Sequence, residues 1–297
     1  MKSRISISFY VLFLYVFACY AQEWPQIYDS ASRTWTNMEQ VQQAMAKSKA
    51  VFVGEKHDHQ WGHCIELNLL EAYWETNGNV AIAMEMFERD VQHLLDGYLS
   101  GEIEEAFFLR HSRPWGNYQT DYRPLVEFAK SLRLPVLGMN VPRRYAAYIA
   151  EGKDQILFAM PKYEKNFMAD ELLALPGKYR DRFYEIMEGH ASPEAIERYY
   201  RAQCLKDDTM AKSLLEFFKK NPNACVISYV GSFHSDERLG VVEKVLMKNP
   251  SIPVMTISIV PVEGAVEDPE QYSHLADFIF FAPGQKKATL PDADFSE

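Results

Sequence analysis

Ala50-Val51-Phe52-Val53 is a short β-type apolar run, and it is followed at once by Gly54-Glu55-Lys56-His57. The same arrangement returns far along the chain, where Cys225-Val226-Ile227-Ser228-Tyr229-Val230 leads into Gly231-Ser232-Phe233-His234. Between the two, Val80-Ala81-Ile82-Ala83-Met84 ends in Glu85, with Glu88 close behind. Parallel strands deliver their C-terminal ends to one edge of an open α/β sheet, and ligands bind in the crevice there. Strands ending in His, Glu and His therefore predict a shared chemical site.

The intervening patterns agree with such a sheet. Thr36-Asn37-Met38-Glu39 reads as a capping box, opening a helix to about Ser48. Ile65, Leu69, Leu70 and Tyr73 share one face of a helix from about Gly62 to Glu75, ended by Asn77-Gly78. A second amphipathic helix carries Val91, Leu94, Leu95 and Tyr98, and Pro124 to Leu132 reads as a third, leading to a strand at Pro135–Met139. Near-continuous apolar strands alternating with helices predict an α/β fold with a mainly parallel central sheet and helices on both faces. From about 144 to 220 only helical stretches appear, which predicts an inserted helical subdomain within a single domain spanning 22–297. Strands resume at Cys225–Val230 and Val254–Val260, with Phe278–Phe281 as a last one and an irregular tail from Ala282.

Residues 1–21 have the pattern of an export signal. Lys2 and Arg4 precede an apolar stretch from Ile5 to Ala18, and small residues follow. The stretch is short for a bilayer span, which takes roughly 20 residues. Cleavage after Ala21 would release a soluble chain, whereas Val16-Phe17-Ala18-Cys19 is a loose lipobox that would place lipid on Cys19. The expected location is the cell envelope, as a periplasmic protein or an outer-membrane lipoprotein. A net charge of −10 and the lack of a Lys/Arg block argue against nucleic acid as a partner. Four cysteines without Cys-x-x-Cys spacing give neither a disulfide framework nor a zinc–thiolate site.

Several residues after the strands carry chemistry. Glu55 and His57 could both face a site, since Glu is a hard ligand or general base and His a metal ligand that titrates near neutrality. Glu85 and Glu88 could serve likewise, or favour the start of the following helix. His59 and His63 could share a helix face with His57 as a metal cluster, or belong to a polar loop entering a helix. Arg143 and Arg144, after Asn140-Val141-Pro142, could clamp carboxylates. The segment Arg113-Pro114-Trp115-Gly116-Asn117-Tyr118, with Tyr122, could line an apolar pocket or form a packed corner. Gly-x-Gly-x-x-Gly, the phosphate-binding loop and the Gly-x-Ser-x-Gly elbow are absent, which argues against a nucleotide site and an α/β-hydrolase triad.

Taken in order, Val53–Asp58, Met84–Glu88 with Gln92, Asn140–Arg143, Asp208–Ala211 and Gly231–Ser235 resemble the ChaN haem-binding uptake proteins. These lie within the wider Tiki, TraB and erythromycin-esterase superfamily, and the resemblance runs from about Ile27 to Phe281. It implies an α/β fold with the paired Gly-x-x-His and Glu positions at the site, and haem as the cofactor, in iron uptake at the envelope. Tyr118, Tyr145 and Tyr148 are candidate haem ligands, with Arg143 and Arg144 for the propionates. Other branches imply a second reading, a metal-dependent hydrolase of protease or esterase type. There Glu55, His57, Glu85 and His234 would hold Mn, Co or Zn, Glu88 would act as general base, and the substrate would be a peptide or small molecule. A non-catalytic envelope scaffold is the third reading. A homodimer is a further expectation.

Overall fold

Eight strands form one sheet: β1 (Gln26–Asp29), β2 (Thr34–Thr36), β3 (Ala50–Glu55), β4 (Val80–Glu88), β5 (Val136–Asn140), β6 (Cys225–Gly231), β7 (Val254–Val262) and β8 (Phe278–Pro283). The structure, a computed structural model, describes residues 25–284. The expected signal segment and Cys19 lie outside the described residues. The strand order is β2-β1-β8-β7-β3-β6-β4-β5. Neighbours from β8 to β5 are parallel, and β1 runs antiparallel to β8 and β2. The fold is thus α/β with a mostly parallel sheet, as the sequence predicts.

Helices cover both faces, and the two-residue period of a strand shows which side chains meet which helix. Val51, Val53, Ile82, Met84, Ile227 and Tyr229 pack with Ile65 and Leu69 of α2 (Gln60–Asn77), after a first short helix α1 (Met38–Met45). Leu95 of α3 (Gln92–Ser100) and Leu125 join the same layer, the latter following α4 (Glu105–His111) on α5 (Arg123–Leu132). The alternate residues Ala50, Phe52, Ala81, Ala83, Val226 and Val230 face the other way. Between β5 and β6 the described chain contains helices and no strand: α6 (Arg143–Ala150), α7 (Gln155–Ala159), α8 (Lys162–Lys165), α9 (Lys178–Met187) and α10 (Pro193–Lys220). Met210 and Leu214 of α10 cover the second face together with Val241 and Val245 of α11 (Gly240–Lys248).

Some details differ from the sequence expectations. The cap of α1 is Asn37, whose side chain accepts a hydrogen bond from Gln40 N, while Thr36 ends β2. The β1–β2 hairpin was not anticipated, because three or four residues give no periodicity to read. β4 continues past Met84 to Glu88 with its register against β5 shifted between those positions. That shift carries Glu88 O to 2.9 Å from where a Cβ on residue 138 would lie, so the close approach requires Gly138. β8 extends through Ala282 to Pro283, so the irregular tail starts no earlier than Gly284. No helix among the described residues is long and apolar enough to cross a membrane.

Candidate functional site at the carboxyl edge of the sheet

The two Gly-x-x-His turns lie side by side. β3 and β6 are hydrogen-bonded neighbours, with Gly54 opposite Val230 and Glu55 opposite Gly231. Each glycine leaves room for the other turn. A Cβ on residue 231 would lie 2.7 Å from His57 Nε2, and one on residue 54 would lie 2.5 Å from Ser235 Oγ and 3.1 Å from Ser232 Cα. Neither glycine has positive φ. Close packing, not backbone conformation, therefore makes both positions glycine.

A carboxylate orients each histidine. His57 Nδ1 lies 2.7 Å from Glu55 Oε1, and Tyr122 donates to the same oxygen at 2.9 Å. Burial lowers the His57 pKa, but its hydrogen bond to Glu55 and that carboxylate's charge outweigh burial, and the pKa is raised. His234 sits between two acids, with Nδ1 2.6 Å from Asp207 Oδ1 and Nε2 3.3 Å from Glu85 Oε1. Burial again opposes the charged ring, yet Glu85 and Asp207 push the His234 pKa up to about 10. Tyr179 donates to the second Asp207 oxygen at 2.6 Å, fixing that carboxylate. Burial would raise the Glu85 pKa; His234 foremost, then His57 and the Gly231 amide 2.9 Å away, bring it down to about 2 instead. Asn140 donates to the Glu85 backbone oxygen at 3.1 Å, tying the end of β5 to the same edge.

His57, Glu85 and His234 line one cleft of about 520 Å³, joined by Glu88, Asn140 and Arg143. Its wall is apolar, from Trp115, Val141, Phe183, Ile186, Met187 and Phe233, and Lys56 and Lys206 add positive charge. Trp115 stands edge-on to the His57 ring, with centroids 4.8 Å apart. A larger groove of about 1050 Å³ follows the edge strand β5, but no histidine lines it.

Not every expected site residue reaches the cleft. Glu55 is buried behind His57 and orients its ring, so it does not complete one ring of ligands with His57, Glu85 and His234. Glu88 is engaged by Arg113 at 2.7 Å, which leaves it poorly free to act as a base. Tyr118 is buried against Phe87 and Phe108, and Tyr145 is buried with its hydroxyl on Glu164. Tyr148 packs against the core of the helical region. None of the three tyrosines lines the cleft: they follow β4 and β5 in sequence, but their own elements turn Tyr118 and Tyr145 inward and leave Tyr148 half-buried. Arg144 binds Asp90 and Glu164, leaving Arg143 as the cleft's arginine. His59 donates from Nε2 to Pro283 O, 2.8 Å away, and His63 is buried beneath the cleft, so neither joins His57 in a surface cluster.

Comparison with known proteins gives the arrangement its relatives. Residues 41–245, more than half of the chain, match the family described as haem-binding uptake, Tiki superfamily, ChaN. The chain belongs to this family. Among solved structures, the ChaN of Campylobacter jejuni, described as showing cofacial haem binding, is similar with a TM-score of 0.65. It is 15% identical, and the match covers 87% of this chain and 97% of that one. A mutant of the erythromycin esterase EreC in its open conformation is similar with a TM-score of 0.53 and 13% identity, covering 91% and 99% of the two chains. No curated protein matches.

In this ChaN-family chain the roles of the supporting residues were not legible in the sequence, although Asn117 and Tyr122 stood among the candidates for a pocket lining. Asp207, Gln203 and Tyr179 come from α10 and α9, and Tyr122 and Asn117 from the segment before α5. The Asp207-Asp208 pair in a helix otherwise facing the core was the available signal for Asp207, since buried acids need partners. Glu66 lies one turn after His63 on α2, and that spacing was visible although its burial was not.

Proposed function

We propose that this protein is an exported haem-binding protein that takes part in iron acquisition at the cell envelope. Family membership over residues 41–245 is the observation that carries this reading. The cleft supports it chemically. Haem is a flat apolar cargo with two carboxylates, and the cleft combines an aromatic and aliphatic wall with Arg143, Lys56 and Lys206. Its volume of about 520 Å³ lies within the roughly 300–1,000 Å³ common to cofactor sites. The half-exposed His57 presents Nε2 toward the cleft while Glu55 holds Nδ1, the arrangement in which a carboxylate orients a ligating imidazole.

Haemin titrated into the mature chain should give a saturable Soret shift, weakened in His57→Ala and, through the propionates, in Arg143→Ala. Loss in Tyr163→Phe with His57→Ala unaffected would move the cargo to the outer face of the helical region, where Phe158 and Tyr163 are 77% and 64% exposed. No saturable shift in the wild-type chain would end the haem reading.

The convergence of His57, Glu85 and His234 on one cleft favours a second reading, a divalent-metal-dependent hydrolase acting on an ester or peptide. Those three side chains would hold the ion, which would lower the pKa of a bound water and polarise a carbonyl. Release of product from ester or peptide libraries only with added Mn²⁺, Co²⁺ or Zn²⁺, abolished in Glu85→Gln, would support it.

A further inference from the structure

Beneath the cleft, α2 brings His63 and Glu66 against Glu55 at the end of β3. One donor atom from each lies within 4.8 Å of the others, and all three side chains are buried. Two buried carboxylates this close need a proton or a cation between them. The hydrogen bonds show where that cation would enter. Tyr122 and His57 both use Glu55 Oε1, leaving Oε2 buried with no hydrogen-bond partner, and Glu66 Oε1 is buried and unpartnered as well. His63 Nδ1 is 2.9 Å from Glu66 Oε2 and 3.5 Å from Glu55 Oε2. Its other nitrogen, Nε2, is 3.2 Å from His57 O and 3.5 Å from Asp121 Oδ2. Donation of an imidazole's far N–H to a carbonyl and a carboxylate is the support that fixes a metal-bound histidine.

We propose that Glu55, His63 and Glu66 form a buried binding site for one divalent ion, separate from the cleft. One imidazole and two carboxylates suit Mn²⁺ or Zn²⁺. The ion replaces the proton on His63 Nδ1, which leaves to solvent, and is held by that nitrogen and the free carboxylate oxygens. Since Glu55 also orients His57, the ion would brace the cleft from behind without touching its contents. This inference is independent of whether the cleft holds haem.

The test uses the mature chain, stripped with a chelator and titrated separately with Mn²⁺ and Zn²⁺ at neutral pH, with bound metal measured after gel filtration. About one ion per chain should be retained. Glu66→Gln should weaken retention roughly tenfold or more, while His190→Gln, at an exposed position, leaves it unchanged. Failure of the wild-type chain to retain either ion would overturn the site, leaving a protonated His63 as the cation between the carboxylates. Equal retention by Glu66→Gln, or loss in His190→Gln, would also overturn it by placing the ion elsewhere. Should Glu66→Gln not fold, Co²⁺ in the wild-type chain decides. Paramagnetic shifts of the His63 ring larger than those of His234 support the site, and the reverse order overturns it.

Discussion

Gly54 and Gly231 show how a residue without a side chain can define a site. Each leaves free the space that the opposite turn needs, so the two turns interlock only when both are glycine. Gly231→Ala would place a methyl 2.7 Å from His57 Nε2, in a position the ring must vacate. Overpacking of this kind costs about 1–3 kcal/mol. Urea unfolding should show that loss, and the His57 ring resonances should move. An unchanged midpoint together with unchanged ring resonances would mean that the turns have slack this structure does not display. Gly54→Ala should be rescued in part by Ser235→Ala, because Ser235 Oγ is the nearest obstacle and has no hydrogen-bond partner of its own. At this scale the Gly-x-x-His pattern was legible in the sequence, since both its glycines and its histidines lie at strand ends. Asp207 was not, because its partner His234 belongs to another element.

Among the elements, α10 connects the helical region to the sheet. Ser192 caps it by accepting from Ala195 N, Pro193 suits its first turn, and Met210 and Leu214 pack on the sheet. Its consecutive acids serve different ends. Asp207 turns to His234, and Asp208 meets Lys244 of α11, which is almost wholly buried. Lys244 also donates to Leu173 O, so one ammonium joins α10, α11 and the segment before α9. Lys244→Met removes that charge and leaves Asp208 without its cation. Breaking a buried pair in this way costs about 3–5 kcal/mol near neutral pH. Burial already raises the Asp208 pKa to about 6, so the cost should shrink in acid, where the carboxyl takes up a proton. Asp208→Asn in the same chain should recover part of the loss, because an amide oxygen can still accept from Leu173 N, 2.7 Å away. Thermal unfolding of the single and double variants measures both effects.

For the whole molecule, the Glu85–His234 pair sets a pH window. The folded Glu85 pKa of about 2 lies below its ordinary 4.5, so its contribution is present above 4.5 and lost as pH falls toward 2. The folded His234 pKa of about 10 lies above its ordinary 6.5, so its contribution is full below 6.5 and lost as pH rises through 10. The pair therefore contributes fully between 4.5 and 6.5. Unfolding midpoints across this range should be highest within that window, and Glu85→Gln should flatten the alkaline decline, since His234 then loses the carboxylate that raises its pKa most. An alkaline limb as steep in Glu85→Gln as in the wild-type chain would assign that decline to other groups. The same acids and imidazoles form the cleft, so folding stability and the site share one electrostatic arrangement.

The sequence by itself determined the strands from β3 to β8 within a few residues, the helical stretch between β5 and β6, and the histidines and Glu85 at strand ends. These follow from local rules: apolar runs of strand length, helical periodicity, and polar residues where a strand ends. Only the tertiary structure decided that β6 inserts between β3 and β4, and so that His57, Glu85 and His234 face one cleft. It also decided that Glu55 and Asp207 stand behind the histidines, that Glu66 lies opposite Glu55, and that Tyr118 and Tyr145 turn into the core. The physical reason is that a side chain's periodicity fixes the face it occupies on its own element, whereas its partners depend on which elements pack together. That choice is made by burial summed over the whole sheet and by contacts between residues far apart in the chain.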